Sequence, residues 1–301
     1  KTGQAELVGI ATASGLSAQH TARRYGFRYA STSDEEVLSD PDINCVAILT
    51  RHQHHARQVV TALEHQKAVY CEKPLAINQE ELDTIKAAIA KQDGAVLTVG
   101  FNRRFAPMAQ QMHEFYASRS EPMLVQYRVN AGYLPLTHWL HDPQQGGGRI
   151  IGEACHFIDF LTFLTGQPPA AVSVTGLADA DKYNQDNVLL TFRFPDSSIG
   201  TIAYLANGNR NLGKERVEVF CAGKTAILDD FRTLELTSDS GRKLVRSPLG
   251  QDKGHQKAWA NFIRLLLQGG ELPIPYEHLF KTTEASFAAL EALRTHTEIT
   301  L

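Results

Sequence analysis

The 301 residues predict an α/β protein in two parts: a first half on a parallel sheet, then an α+β half with a large, mostly antiparallel sheet. From Glu6 to about Ser118, short apolar runs alternate with helical patterns, the rhythm of parallel strands joined by right-handed crossovers. From Met123 onward the strands lengthen and alternate in polarity, with Pro195-Asp196-Ser197-Ser198 and Ala222-Gly223-Lys224 placed as hairpin turns. The length also exceeds one ordinary domain, so a division near Glu121-Pro122 into residues 1–121 and 122–301 is expected.

Glu6 to Thr12 reads as the first strand. Ser17 to Tyr25 follows as a helix capped by Ser14 or Ser17 and closed at Gly26. Asp34 to Leu38 is a short helix stopped before Pro41, and the continuous apolar run from Cys45 to Thr50 is a strand buried on both faces. A helix from Ala56 to His65, a strand from Ala68 to Cys71, a helix from Gln79 to Lys91 and a strand from Val96 to Gly100 continue the rhythm. One more helix, to about Ser118, ends the first half. Strands are then predicted at 124–131, 171–177, 187–194, 198–206, 216–221, 225–229 and 233–237. Helices are predicted at 152–164, 255–267 and 279–295.

Composition excludes several classes. The formal net charge is −3 and no basic run occurs, so nucleic acid is not an expected partner. No apolar stretch approaches the roughly 20 residues of a membrane span, and no signal-peptide pattern opens the chain, which points to the cytoplasm. The four cysteines are far apart and form no metal-binding pair; Cys155 has no activating base prescribed by spacing.

Two stretches carry chemistry. Val69-Tyr70-Cys71-Glu72-Lys73-Pro74-Leu75 ends an apolar strand with a Glu-Lys pair and a proline that removes a donor and keeps Lys73 extended. Ligands of open α/β sheets sit beyond the carboxyl ends of the strands, so Lys73 can point into a cleft. An ordinary strand-to-helix turn with a surface lysine stays open. Gly146 to Asp159 is a glycine-rich loop running into a helix, with Glu153, His156 and Asp159 at spacings of three on one face. A carboxylate near His156 would fix its tautomer and suit it as a general base; a simple helix-face ion pair is the alternative. Arg51-His52-Gln53-His54-His55 suggests a metal, but no neighbouring carboxylate or cysteine completes a ligand set, so no metal is expected.

Taken together, these segments resemble the family of glucose-fructose oxidoreductase, inositol dehydrogenase and MocA, over Thr50 to His55, Cys71 to Ala76, Gly100 to Pro107, Asp142-Pro143 and Gly146 to Asp159. The likeness looks nearest to the half of two-domain polypeptides that carry a zinc-type alcohol dehydrogenase region in front. The resemblance implies a Rossmann-type first domain and hydride transfer with NAD or NADP at a carbinol or carbonyl carbon of a sugar, cyclitol or sugar nucleotide. It implies that Lys73 and His156 are catalytic, with Glu153 and Asp159 beside them. Thr12, Ser14, Thr50, His52, His55, Glu72, Lys73 and Arg104 would line the cofactor, and Lys73, Arg103, His138, Trp139, Arg149 and His156 the substrate. It further implies a homo-dimer or tetramer formed through the second sheet, for which Val188, Leu190, Phe192 and Phe194 are compatible with burial on either face.

Three departures qualify the likeness. The family usually has an Asp four residues before the histidine, where this chain has Gly152; Glu153 is one residue off, a rotation of about 100° on a helix. Thr12-Ala13-Ser14 lacks the acid that binds a ribose 2′-hydroxyl, so NADP is permitted. The strand that opens such a unit ahead of Glu6 to Thr12, with its Gly-x-Gly-x-x-Gly turn, is missing, which suggests a truncated polypeptide, weak or no cofactor binding and, in a well-folded chain, other packing such as a partner chain over the exposed strand edges. A non-catalytic binding or regulatory module with the same fold is the alternative function, and a metal-dependent hydrolase a remote one.

Overall fold

The computed structural model describes residues 4–248 and 250–301. Its first part runs β1 (Gly9–Ala11), α1 (Gly15–Tyr25), β2 (Tyr29–Ser31), α2 (Asp34–Ser39), β3 (Cys45–Ile48), α3 (His55–Glu64), β4 (Ala68–Cys71), α4 (Gln79–Ala90), β5 (Leu97–Val99) and α5 (Pro107–Phe115). All strand pairs here are parallel, β1 with β2 and β3-β4-β5 in that order. Among the described residues no strand joins β1 to β3, so the parallel sheet stands in two pieces. Helix α3 turns Ala56, Val59, Ala62 and Leu63 inward at helical spacing, and Val69 and Cys71 of β4 are fully buried between the layers. At the start of α4 the Asn78 side chain accepts from the Glu81 N–H, while the Glu81 carboxylate reaches back to the Ile77 N–H.

The second part adds β6 (Leu124–Asn130), α6 (Cys155–Thr165), β7 (Ala171–Gly176), β8 (Asn187–Arg193), β9 (Ile199–Leu205), β10 (Glu215–Cys221), β11 (Lys224–Asp229), β12 (Thr233–Ser238), β13 (Gly241–Arg246), α7 (His255–Gln268), α8 (Tyr276–Thr295) and β14 (Ile299–Thr300). The strands make one nine-stranded sheet, ordered β13-β12-β11-β10-β6-β9-β8-β7-β14, in which only β6 and β9 run parallel. Val188, Leu190, Phe192 and Phe194 pack in the core under α5, α6 and α8, so they lie on the covered face. The open face instead carries Leu124, Leu189, Ile199 and Phe220.

Several boundaries differ from the sequence reading. Strands β2, β13 and β14 were not expected: β2 and β14 are very short, and β13 (Gly-Arg-Lys-Leu-Val-Arg) has no apolar face to reveal it. The helix expected at 152–164 begins instead as a π-helical turn at Ile150–Ala154 that runs into α6. Helices α7 and α8 return to the first half. Phe262 and Trp259 of α7 pack on Tyr70 of β4, and α8 places Leu279 in the core of the parallel part and Ala285, Ala289 and Ala292 in the core of the large sheet. Gly254 permits the approach of α7, because at its φ of 83° an added Cβ would stand 2.5 Å from the Ala106 nitrogen and the Asn102 oxygen.

Candidate active site

The site forms where the carboxyl ends of the parallel strands meet the π-helical turn. Beyond β4 the Lys73-Pro74 peptide bond is cis, and the Lys73 ammonium donates to the Gly152 carbonyl at 2.7 Å. A π-turn leaves carbonyls outside the regular ladder, and here one of them serves as the anchor of the lysine. A Cβ at 152 would lie 2.8 Å from Leu140 Cδ1 and 2.9 Å from His52 Cε1, so any larger residue, the expected family aspartate included, would have to displace these two side chains.

His156 and Lys73 are both mostly buried, with a minor part exposed, and flank this turn. Burial pushes the His156 imidazole well below its ordinary pKa, and the charges of Arg103, Lys73, His255 and Lys214 push the same way, so the ring is neutral. Its Nδ1 is buried without a hydrogen-bond partner among the described residues. The expectation that a carboxylate of its own helix face orients it is therefore corrected. Asp159 is fully buried and takes both the Nε and an Nη of Arg104, at 3.0 and 2.5 Å. Glu153 is held by the Arg149 guanidinium at 3.0 Å and by the Tyr204 hydroxyl. Burial alone would raise the Glu153 pKa, but Arg149 and Tyr204 hold it down at about 2, so it is an anchored carboxylate.

The structure also corrects the arginines and one histidine. Arg103, read as a substrate residue, is buried and paired with Glu215 through Nε and Nη2 at 2.7 and 2.9 Å; Lys253 and the Tyr127 hydroxyl reach the same carboxylate. Arg104, read as a cofactor residue, is consumed by Asp159. Arg149 is buried among Glu153, Asp186 and the Gly132 carbonyl, closed to substrate. His55 is fully buried, with Nδ1 2.7 Å from the Pro74 carbonyl and Nε2 3.0 Å from the Thr50 carbonyl, so it clamps the Lys73-Pro74 segment instead of touching a ligand. Burial pushes its pKa down, and the neutral ring donates to one carbonyl at a time.

The remaining residues line open space or its rim. Thr50 donates to Gln58, and the Glu72 carboxylate lies against Gly100, where a Cβ would stand 2.9 Å from it. His52 Nδ1 donates to the Gly146 carbonyl at 2.8 Å; burial holds its pKa at about 4, which leaves Nε2 as a lone-pair acceptor. Trp139 packs edge-on against His52 at 4.8 Å, and the His138 side chain accepts from the Leu140 N–H. Beside them a cavity of about 840 Å³ is lined by Arg51, His138, Trp139, Asp179 and Tyr183. Thr12 and Ser14 follow β1, where Thr12 donates to the Ser14 carbonyl and the Ser14 side chain makes no capping bond; no described contact links them to Lys73. Tyr204 and Asp186 escaped the sequence reading, since each lies in or next to a strand whose inward face only the sheet reveals. No group of three or more potential metal ligands forms among the described residues.

Comparison with known proteins gives the family and the fold. Residues 1–101 match the oxidoreductase family with an NAD-binding Rossmann fold, and residues 120–227 match its GFO/IDH/MocA C-terminal domain. The chain belongs to the GFO/IDH/MocA family. It is similar to 1,5-anhydro-D-fructose reductase of Ensifer adhaerens, at 32% identity over 64% of this chain and 60% of that protein, so it spans less than two thirds of that relative. It is also similar to inositol 2-dehydrogenase of Rhizobium meliloti, at 26% identity over 89% of this chain and 83% of that protein. Levoglucosan dehydrogenase in complex with NADH shares the fold at a TM-score of 0.86 and 22% identity, over 98% of this chain and 90% of the other. No helix is long and apolar enough to cross a membrane among the described residues.

Proposed function

We propose that this family member is an NAD(P)-dependent oxidoreductase that transfers hydride to or from a carbinol or carbonyl carbon of a sugar or cyclitol. The observation that supports it most directly is the pairing of Lys73, fixed by the Gly152 carbonyl, with a neutral His156 at the same turn. Sugar and cyclitol relatives, one solved with NADH, point the same way. The nicotinamide end of the cofactor fits the residues present. Thr50, Glu72 and Gly100 end three neighbouring parallel strands, the Glu72 carboxylate lies flush on Gly100, and Leu49 is 68% exposed beside them as apolar surface for a flat ring. When bound there, a nicotinamide supplies the hydride acceptor or donor.

This chain's residues do the rest. Lys73 donates to the reacting oxygen and stabilises the negative charge that grows on it. His156, neutral at physiological pH, takes the hydroxyl proton during oxidation and returns it during reduction. Glu153 remains ionised between Arg149 and Tyr204 and holds the turn in place without relaying the proton. The division at Glu121-Pro122, a cytoplasmic location favoured by four free thiols, and a zinc-type alcohol dehydrogenase region encoded upstream belong to the same reading. So does self-association through the open sheet face.

The test combines NADH and NADPH titration calorimetry with a turnover screen of sugars and cyclitols. Lys73→Ala and His156→Ala should each lower kcat by about a hundredfold or more and leave nicotinamide affinity unchanged. The unpartnered Nδ1 of His156 favours a second reading, a non-catalytic binding module. Sugar binding without turnover, insensitive to His156→Ala, would establish that module instead.

A further inference from the structure

The cavity of about 840 Å³ beside His52 and Trp139 is lined by neither Lys73 nor His156, so the hydride chemistry does not use it. Close contacts nonetheless join it to the reacting centre. Trp139, which lines it, packs edge-on against His52 at 4.8 Å, and a Cβ on Gly152, whose carbonyl holds Lys73, would stand 2.9 Å from His52 Cε1. A sugar held at Lys73 has this space as its neighbour. The volume lies in the upper part of the range of about 300 to 1,000 Å³ that encloses whole small-molecule ligands, more than one sugar ring fills.

The lining has the chemistry of a carbohydrate site. Trp139 and Tyr183 supply two partly buried rings, each held in place: Trp139 by the Arg51 guanidinium 5.4 Å from its ring centre, and Tyr183 by Lys182 at 5.3 Å and the edge of Tyr133 at 6.1 Å. Asp142, Asp179 and Asp181 also face the cavity, and none of them has a cation within 4.0 Å among the described residues. A carboxylate only accepts hydrogen bonds, so these groups suit a ligand that donates them, as sugar hydroxyls do. Three carboxylates against one guanidinium disfavour a phosphate or a uronate. The acids do not converge on a point either, since no group of three or more potential metal ligands forms among the described residues. On the same wall His141 is 6% exposed, with its Nδ1 buried and without a partner among the described residues, a polar atom that a ligand hydroxyl can complete.

We propose that this cavity is a subsite for a second, uncharged sugar unit, so that the protein acts on a disaccharide or other glycoside in preference to the free monosaccharide. Tyr183 and Asp181, from the loop between β7 and β8, contact that second unit and not the reacting carbon. The inference rests on the oxidoreductase reading for the sugar at Lys73, but not for binding in the cavity.

The experiment measures binding by calorimetry, and turnover through reduced-nicotinamide absorbance, for glucose, galactose, maltose, cellobiose and lactose, with glucose 6-phosphate and glucuronate as charged controls. The wild-type protein should bind at least one disaccharide about tenfold or more tightly than its constituent monosaccharides, as expected for one aromatic contact and one hydrogen bond to a charged group. Tyr183→Ala should bring the two within about threefold, while Tyr183→Phe keeps most of the difference. Asp181→Asn, a replacement that suits the left-handed φ of 55° at this position, should weaken the disaccharide about threefold or more. Equal binding of disaccharides and monosaccharides, a preference that survives both Tyr183→Ala and Asp181→Asn, or tighter binding of either charged control would each overturn the subsite. A preference lost in these variants, with no turnover of any sugar, would uphold the subsite and overturn the oxidoreductase reading; turnover of monosaccharides without any disaccharide preference would do the reverse.

Discussion

At the scale of single residues, the site is defined by what Gly152 leaves out. Its carbonyl holds Lys73 and its missing side chain makes room for His52 and Leu140. Gly152→Ala should cost about 1 to 3 kcal/mol through overpacking and shift Lys73, which urea unfolding and kcat together would register. Acid sensitivity belongs to the same residues. The pKa of His52 is held at about 4, and those of His55 and His156 are also depressed, chiefly by burial. Below their ordinary value of 6.5 the unfolded chain takes up protons that the folded protein refuses. Stability therefore falls as pH drops, by up to about 1.4 kcal/mol per pH unit for each ring. Glu153 and Glu215, depressed to about 2, lose their stabilising contribution only below their ordinary 4.5. Between pH 7 and pH 5 the loss should thus come from histidine, and His156→Asn should flatten the urea-derived stability profile; an unchanged slope would refute the assignment.

At the scale of elements, the turn after β5 ties the two halves together. Arg103 and Arg104 are neighbours in sequence, yet one pairs with Glu215 of β10 and the other with Asp159 of α6. Removing one partner of a buried pair strands a charge, so Arg104→Ala should destabilise the protein by about 3 to 5 kcal/mol, and an Arg104→Met/Asp159→Leu double variant by clearly less. Helix α7 supplies an independent tie through Phe262, which is fully buried against Tyr70. Phe262→Ala should cost about 3 to 5 kcal/mol in denaturant unfolding without changing the charge balance of the site. Equal losses for the single and double arginine variants would show that the ion pair is not what Arg104 contributes.

At the scale of the whole molecule, the nine-stranded sheet buries one face and leaves the other open. Phe220 of β10, Leu124 of β6 and Ile199 of β9 stand side by side in register across three strands, each about 40% exposed. A contiguous apolar stripe on an open sheet is a surface for association. Light scattering should find a dimer or larger assembly, and Leu124→Glu should shift it toward monomer with stability nearly unchanged; a wild-type monomer would remove this face from consideration.

The strand and helix rhythm, the Glu72-Lys73-Pro74 corner and the Gly-rich approach to His156 were legible in the sequence, because they depend on local periodicity and on residues whose backbone demands are particular. The facing of Val188 to Phe194 was not legible, since an apolar alternation says which residues share a face but not which face is covered. The fates of Asp159, Glu153, Arg103, Arg104, Arg149 and His55 were equally hidden. Charged and polar residues near a candidate site look alike in sequence, and what separates a working group from a buried tie is a partner up to 112 residues away, as Glu215 is from Arg103.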